Sequence, residues 1–454
     1  MVWMLRSFRL ENHRSFRDEH ELLLMPAYAR GRETLPVVAI YGANASGKSN
    51  LLDGLKFMAE AVRDSFAVWG PDAGVVGRRP FKLDAGKRAD PSTYVVELIQ
   101  DGVRYTYGVE VDDVRVREEW LYSYPEKRKR VLFERVGDGI KFGSTLDESK
   151  SALEVLETML RPNALLVSLA AQLKVFWVLP VYRWFVNSLR FRVNADGRVF
   201  GNEIAEFLLE RPEFKNELVD LVRAADVGID DVVVAEEGFL EQALTSLVFQ
   251  NAGAGKTRSA LIDASMYRYL AELASEGSAS SLKRHVFHGG ALPRRPTVHL
   301  IHGGCAEPFR LDEESAGTRS WLSVLPTVLS VLRDGGCLVI DEIDASLHPL
   351  LTMRLISLFN DDRANAAGGQ LIFTTHDATL LNAPFAEEVL ARDEVWFVEK
   401  ERSSGASSLY PLTDFKPRNE DNLERRYLAG RYGAVPELFE DRFTEVVRGD
   451  RGEA

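Results

Sequence analysis

The 454-residue chain is expected to fold as an α/β protein. A mostly parallel central sheet should be covered by helices and should carry an antiparallel β insertion and a helical insertion. Three observations predict this. PVVAIY (36–41) is a short apolar run of the buried-strand type, followed at once by a Gly-rich loop and by LLDGLKFMAEAV at helical spacing. Beyond residue 316 the pattern alternates: a helix over 317–333, the strand CLVIDE, a helix over 349–363, the strand QLIFTTH, a further helix and the strand EVWFVEK. Strands this apolar and β-branched, separated by helices, mark a parallel sheet covered on both faces. Between the two ends, STYVVELIQDGVRYTYGVEVDDVRVREEWLYSY has period two with a turn at Asp101-Gly102, and KRVLFERVGDGIKFG turns near Asp138-Gly139. That is an antiparallel insertion.

In chain order, residues 1–65 read strand, strand, loop, helix, and 66–90 form a loop rich in Gly, Pro and basic residues. From 148 to 285 the pattern is mostly helical (SALEVLETML, IAEFLLE, FKNELVDLVRAAD, IDASMYRYLAELASE), and TVHLIHGGCAEPFRL resembles a hairpin. The expected domains are therefore 1–147, a lobe with the Gly-rich loop and the β insertion; 148–310, mainly helical; and 311–454, the alternating C-terminal lobe. No internal repeat or sustained heptad pattern is present.

Net charge is −12 and the pI about 5.4, which disfavours a generally basic nucleic-acid binder. The basic runs KRKR (127–130) and RWFVNSLRFR (183–192) read as solvated surface before a DNA groove. Two cysteines, Cys305 and Cys337, provide no disulfide framework and suit a reducing cytosol, so a cytoplasmic location is expected. The N-terminus lacks a signal peptide's apolar core. The apolar stretch 164–186 is interrupted by Gln172, Lys174, Pro180 and Arg183, so a buried helix followed by an aromatic segment is expected, and no membrane span.

GANASGKS (42–49) fits G-x-x-x-x-G-K-[ST] in full, between an apolar strand and a helix. Its expected ligand residues are Gly42, Ala43, Asn44, Ala45, Ser46, Gly47, Lys48 and Ser49. Gly42 and Gly47 let the backbone wrap a polyphosphate, and successive N–H groups with the helix N-terminus face the anion. Lys48 would supply charge to the β/γ-phosphates, and Ser49 a hydroxyl to Mg2+. This is the pattern of a phosphate-loop (P-loop) nucleoside triphosphatase. A second Gly-Lys-Thr, in NAGAGKT (251–257), has Gln250 where the first glycine belongs and reads as a surface loop.

CLVIDE ends in two adjacent carboxylates, where ligands bind in open α/β sheets. Asp341 would hold Mg2+, and Glu342 would orient and deprotonate the attacking water. His376 ends the next apolar strand, QLIFTTH, and would contact the γ-phosphate. Finally, DEESAGTRSW (312–321) opens a helix, with Ser315 as an ordinary N-cap or as part of a phosphate clasp.

The order of phosphate loop, long insertion, ESAGT, VIDEIDASLHP and TTHD resembles ABC-type ATPases of the SMC/RecF/OLD superfamily. DEIDASLHP with a downstream TTHD is most similar to the stand-alone "AAA" ATPases of the OLD-like and RloA/AriA-like group, and DFKPRNEDNLERRYLAGRYGAVP (414–436) resembles that group's closing segment. The resemblance covers roughly 1–65 and 310–436. It implies an ABC-ATPase-like head that binds ATP and Mg2+ between two copies. Ser315 and Gly317 would form a signature loop acting in trans, and Asp344, Ala345 and Ser346 a loop contacting the partner head. Gln172 would sense Mg2+ and water. The sequence departs from the usual LSGG signature, with Glu314 ahead of the serine and Ala316 in place of the first glycine. The implied function is Mg2+-dependent ATP hydrolysis by a dimeric or oligomeric switch that controls a separate effector protein in defence against phage and foreign DNA. The alternative is a DNA-binding repair ATPase of the RecF/SMC kind, for which nucleic acid is the partner. No room for a Toprim nuclease is expected after the closing segment.

Overall fold

The computed structural model describes residues 3–28, 31–70, 76–193, 201–238, 294–303, 307–345, 347–382, 389–418 and 421–436. The chain divides into two units. The first combines Met1–Ala195 with Thr327–Ala454, and the second is Asp196–Pro326. The two ends of the chain, expected as separate lobes, thus share one unit, and residues 148–193 join them there.

The first unit is built on two sheets. Its six-stranded sheet has the order β16-β15-β3-β14-β13-β9. The strands are β3 (Val37–Tyr41), β9 (Leu189–Val193), β13 (Cys337–Asp341), β14 (Gln370–Thr374), β15 (Val395–Lys400) and β16 (Ser407–Pro411). All neighbours are parallel except β15 and β16. Every residue of β3 and β14 is buried, as their unbroken apolar sequences require of strands covered on both faces. Parallel pairing of Val37 with Leu371 and of Cys337 with Gln370 brings the carboxyl ends of β3, β14 and β13 to one edge. Gly42, His376 and the Asp341-Glu342 pair follow or end those strands, so topology alone gathers them.

The second sheet is antiparallel throughout, with the order β2-β1-β4-β5-β6-β7-β8. It comprises β1 (Trp3–Glu11), β2 (His20–Leu23), β4 (Ser92–Gln100), β5 (Val103–Val111), β6 (Val116–Tyr124), β7 (Arg130–Val136) and β8 (Gly139–Phe142). Gln100 pairs with Val103 across Asp101-Gly102, and both turn residues have positive φ, as a tight two-residue hairpin needs. Phe8, Leu10, Tyr94, Val96 and Leu98 of this sheet share a core with Leu51, Leu55, Met58 and Val62 of the helix Lys48–Asp64. Buried Glu119 of β6 accepts the N–H groups of Leu166 and Val167, at 2.7 and 3.0 Å, and so fixes the start of the helix Leu166–Gln172.

The apolar stretch 164–186 is indeed broken. It forms the helix Leu166–Gln172, a turn, the helix Leu179–Arg183 and a π-type turn, with Trp184 and Phe185 buried. Among the described residues no helix is long and apolar enough to cross a membrane.

In the second unit the described residues form the helices Gly201–Glu210 and Lys215–Ala224 and a three-stranded antiparallel sheet: β10 (Ile229–Gly238), β11 (Arg294–His302) and β12 (Phe309–Arg310). The described residues of 148–310 include helices and also strands. The hairpin read at TVHLIHGGCAEPFRL forms, with His299 paired to Arg310, while LRFRV and the β-branched IDDVVVAEEG are strands outside the helical reading. The expected helix at 262–276, the NAGAGKT segment and Cys305 lie outside the described residues. The helix expected at 317–333 spans Ala316–Asp334, and that expected at 349–363 ends at Asn360. A 3-10 turn, Ala378–Leu381, follows His376.

Candidate functional site

The phosphate loop leaves β3 at Tyr41 and enters the helix Lys48–Asp64. Asn44 and Ala45 form its exposed tip, with Ala43 half-buried behind them and Ala45 in the left-handed region. Gly47 has φ 115°, and a Cβ there would sit 2.4 Å from Ser407 Oγ and 2.6 Å from Ser15 Oγ. A Cβ on Gly42 would sit 2.3 Å from the Val398 carbonyl oxygen. Both positions therefore require glycine for space, and Gly47 for backbone angle as well. Ser46 Oγ is buried without a hydrogen-bond partner among the described residues.

Lys48 is buried and donates to the carbonyls of Gly42 (2.7 Å) and Ala43 (3.2 Å). Burial lowers its pKa to about 8, against the opposing pull of Asp341, Glu342 and Asp344. The three carboxylates thus act on one ammonium across the strand ends.

A chain of buried hydroxyls supports the loop from below. Asn50 Nδ2 donates to Ser15 Oγ (2.8 Å), Ser15 and Ser407 share a hydrogen bond (2.7 Å), and Ser407 Oγ donates to the Ser46 carbonyl (2.5 Å).

Asp341 and Glu342 are tied to β14 through one side chain. Thr374 Oγ1 donates to Asp341 Oδ1 (2.5 Å) and accepts the Glu342 N–H (2.7 Å). Glu342 is exposed with φ 53°, an unfavourable backbone for glutamate that the Thr374 bond helps to hold. The His376 N–H points at the Asp344 carboxylate, at 3.3 and 3.4 Å. Burial, then the nearby Lys48 charge, lowers the His376 pKa, while Asp344, Glu342 and Asp341 oppose the shift. Lys48, Asp341, Glu342, Asp344 and His376 therefore form one electrostatic cluster. Ser346 lies outside the described residues.

Ser49 and Asp341 line a common cavity of about 170 Å3 with Arg14, Asp53, Lys56, Phe191 and Arg192. A hydroxyl and a single carboxylate on one cavity suit Mg2+, which takes few protein oxygens and completes its shell with phosphate and water. Gln172 is not a lining residue; it ends its helix exposed to solvent.

Sequence reasoning missed Arg14 and Asp53. Burial alone would raise the Asp53 pKa, but hydrogen bonds from His13 (3.0 Å), Arg14 (2.5 Å) and Arg79 (2.6 Å) outweigh it and hold the carboxyl well below the usual range. Phe191 and Arg192 were missed as site residues because their strand read as a basic surface run.

In the second unit, Ser315 is exposed and caps the helix Ala316–Asp334: its Oγ accepts the Thr318 N–H (3.1 Å) and bonds Thr318 Oγ1 (2.8 Å). Gly317 lies in the first turn. Glu314 Oε1 bonds His302 Nε2 (2.6 Å), fixing the residue just before the cap.

A phosphate loop at the end of a parallel strand, with carboxylates on a neighbouring strand end and a shared cavity beside them, defines a phosphate-loop nucleotide-binding protein. The family model described as "AAA domain, putative AbiEii toxin, Type IV TA system" matches residues 37–382, well over half of the chain. The chain belongs to this AAA-type ATPase family. No curated protein matches it. Among solved structures it is similar to an SMC head bound to the C-winged helix domain of ScpA, at 14% identity and TM-score 0.41, covering 91% of this chain and 99% of that one. It is also similar to the SMC head domain from Thermotoga maritima, at 12% identity and TM-score 0.38, covering 90% and 98%.

Proposed function

We propose that the protein is a Mg2+-dependent ATPase of the ABC type, working as an ATP-bridged dimer or higher oligomer. The observation that carries this reading is the convergence of Lys48, Asp341, Glu342, Asp344 and His376 on one edge of the parallel sheet. Lys48 and the loop N–H groups bind the polyphosphate. Ser49 and Asp341 would hold Mg2+, which when bound would supply charge neutralisation to the phosphoryl group. Exposed Glu342 orients the attacking water and takes its proton. His376, steadied by its backbone bond to Asp344, contacts the γ-phosphate. Ser315 and Gly317 serve the partner's site: Ser315 is exposed at a helix N-terminus, an arrangement that favours an anion. Asp344, Ala345 and Ser346 would meet the partner head, and Gln172 retains a sensing role only if it moves from its exposed helix end.

The setting we favour is an OLD-like switch that governs a separate effector in anti-phage defence in the cytoplasm. The family description's reference to a toxin–antitoxin system supports that setting over DNA repair. The test is Glu342→Gln. The variant should bind ATP with wild-type affinity, lose turnover by two orders of magnitude or more, and accumulate as a nucleotide-bound dimer in light scattering. Turnover at the wild-type rate would remove Glu342 from the mechanism.

A further inference from the structure

We propose that Tyr41 and Tyr427 form a buried aromatic post through which the C-terminal segment positions the His376 turn against the phosphate loop. The inference rests on the ATPase reading for its catalytic consequence. Tyr41 is fully buried and directly precedes Gly42. Its hydroxyl donates to the carbonyl of Asp377, the residue after His376, at 3.3 Å. One side chain thus joins the root of the phosphate loop to the switch turn. The Tyr427 ring meets the Tyr41 ring edge-on with centroids 5.5 Å apart. Phe397 of β15 stacks on Tyr427 (5.6 Å) and on Tyr432 (5.6 Å) and meets the Tyr41 ring at 6.2 Å, so it packs against both members of the post.

The segment carrying Tyr427 is itself locked. Tyr427 Oη donates to the Ala434 carbonyl (3.2 Å), Tyr410 Oη to the Tyr432 carbonyl (2.9 Å), and Ala434 N–H to Glu399 (3.3 Å). A Cβ on Gly433 would fall 2.7 Å from Tyr410 Oη, which accounts for glycine in RYGAVP. Arg426 pairs with Asp421 at 2.6 Å, which gives that arginine a structural partner inside the segment. The helix Leu423–Leu428 packs on the turn Ala378–Leu381 that follows His376. The closing segment therefore touches both the turn after His376 and the root of the phosphate loop.

Tyr41→Phe removes the link to Asp377 and keeps the ring, Tyr427→Leu removes the wedge, and Tyr427→Phe keeps it. Two readouts decide the matter: steady-state ATP turnover, and the ring signal of His376 in NMR spectra of histidine-labelled, nucleotide-free protein, assigned with His376→Gln. Tyr41→Phe and Tyr427→Leu should each lower kcat about five- to tenfold with KM changed less than twofold, and both should displace the His376 signal. Tyr427→Phe keeps the ring but loses the Oη bond to Ala434, so it should lower kcat less than Tyr427→Leu does; a Tyr427→Phe as slow as Tyr427→Leu would overturn the wedge. The double variant Tyr41→Phe/Tyr427→Leu should be no slower than the slower single variant, because both act through one post. An unmoved His376 signal in Tyr41→Phe overturns the proposal whatever the turnover. A moved signal with unchanged kcat overturns its catalytic consequence. If wild-type protein binds no ATP, the ATPase reading falls, while the His376 signal still decides whether the post positions the turn.

Discussion

The depressed pKa of Lys48 makes nucleotide affinity depend on pH in a calculable way. Burial brings the ammonium down to about 8 in the free protein despite three facing carboxylates. Only the charged form attracts a polyphosphate, so binding above pH 8 must first protonate Lys48. The apparent Kd then scales as roughly 1 + 10^(pH − 8), a rise of about tenfold between pH 7 and pH 9. The sign is fixed: affinity is full below pH 8 and falls above it, by up to about tenfold per pH unit. Burial and the nearby Lys48 charge hold His376 below the ordinary histidine value, so its own titration is displaced away from this window. The assay is titration of a fluorescent, non-hydrolysable ATP analogue in excess Mg2+ from pH 6.5 to 9.5. Lys48→Arg is the control, since a guanidinium keeps its charge throughout and its Kd should stay flat. A flat wild-type profile, or the same rise in Lys48→Arg, would refute the reasoning.

Two further perturbations follow from the loop and strand-end geometry. Thr374→Val keeps the shape of a fully buried side chain but deletes its bonds to Asp341 and to the Glu342 N–H. A bond to a charged acceptor is worth about 1.5–3 kcal/mol, so turnover should fall about ten- to a hundredfold with ATP binding largely kept; unchanged kcat would show that Thr374 holds neither carboxylate in place. Gly47→Ala drives a methyl into Ser407 and Ser15 at a backbone angle alanine resists, and equilibrium dialysis should find ATP binding lost. Restored binding in Gly47→Ala/Ser407→Ala would trace the defect to the hydroxyl contact rather than to the angle.

The parts of the site that were legible in sequence share one property: each is a short, contiguous signal. GANASGKS carries its own strand and helix, and CLVIDE and QLIFTTH carry their burial in unbroken apolar runs. Their meeting followed from parallel pairing, which βα alternation already implied. What escaped was contact across the whole chain. Ser15 and Ser407 are 392 positions apart, and neither serine has any local mark of lying under Gly47. Tyr41 and Tyr427 likewise read only as aromatics. LRFRV escaped for a different reason: alternating arginines on an edge strand look like a solvated basic run, although the strand pairs with β13 and brings Phe191 and Arg192 to the Ser49–Asp341 cavity. IDDVVVAEEG was obscured by acidic residues at both ends of a β-branched core. Gln172 illustrates the opposite error, a residue singled out for its chemistry while the fold places it at an exposed helix end.

The central claim is that one ATP is shared between two copies, with the phosphate loop from one and Ser315 from the other. Mixing Lys48→Ala protein with Ser315→Arg protein tests it most directly. In a mixed dimer one site is intact and the other carries both lesions. ATP turnover absent from each variant alone and regained on mixing, toward half the wild-type rate per mixed dimer, is the predicted result. No recovery, with mixed dimers demonstrated by differential tagging, would contradict a composite site.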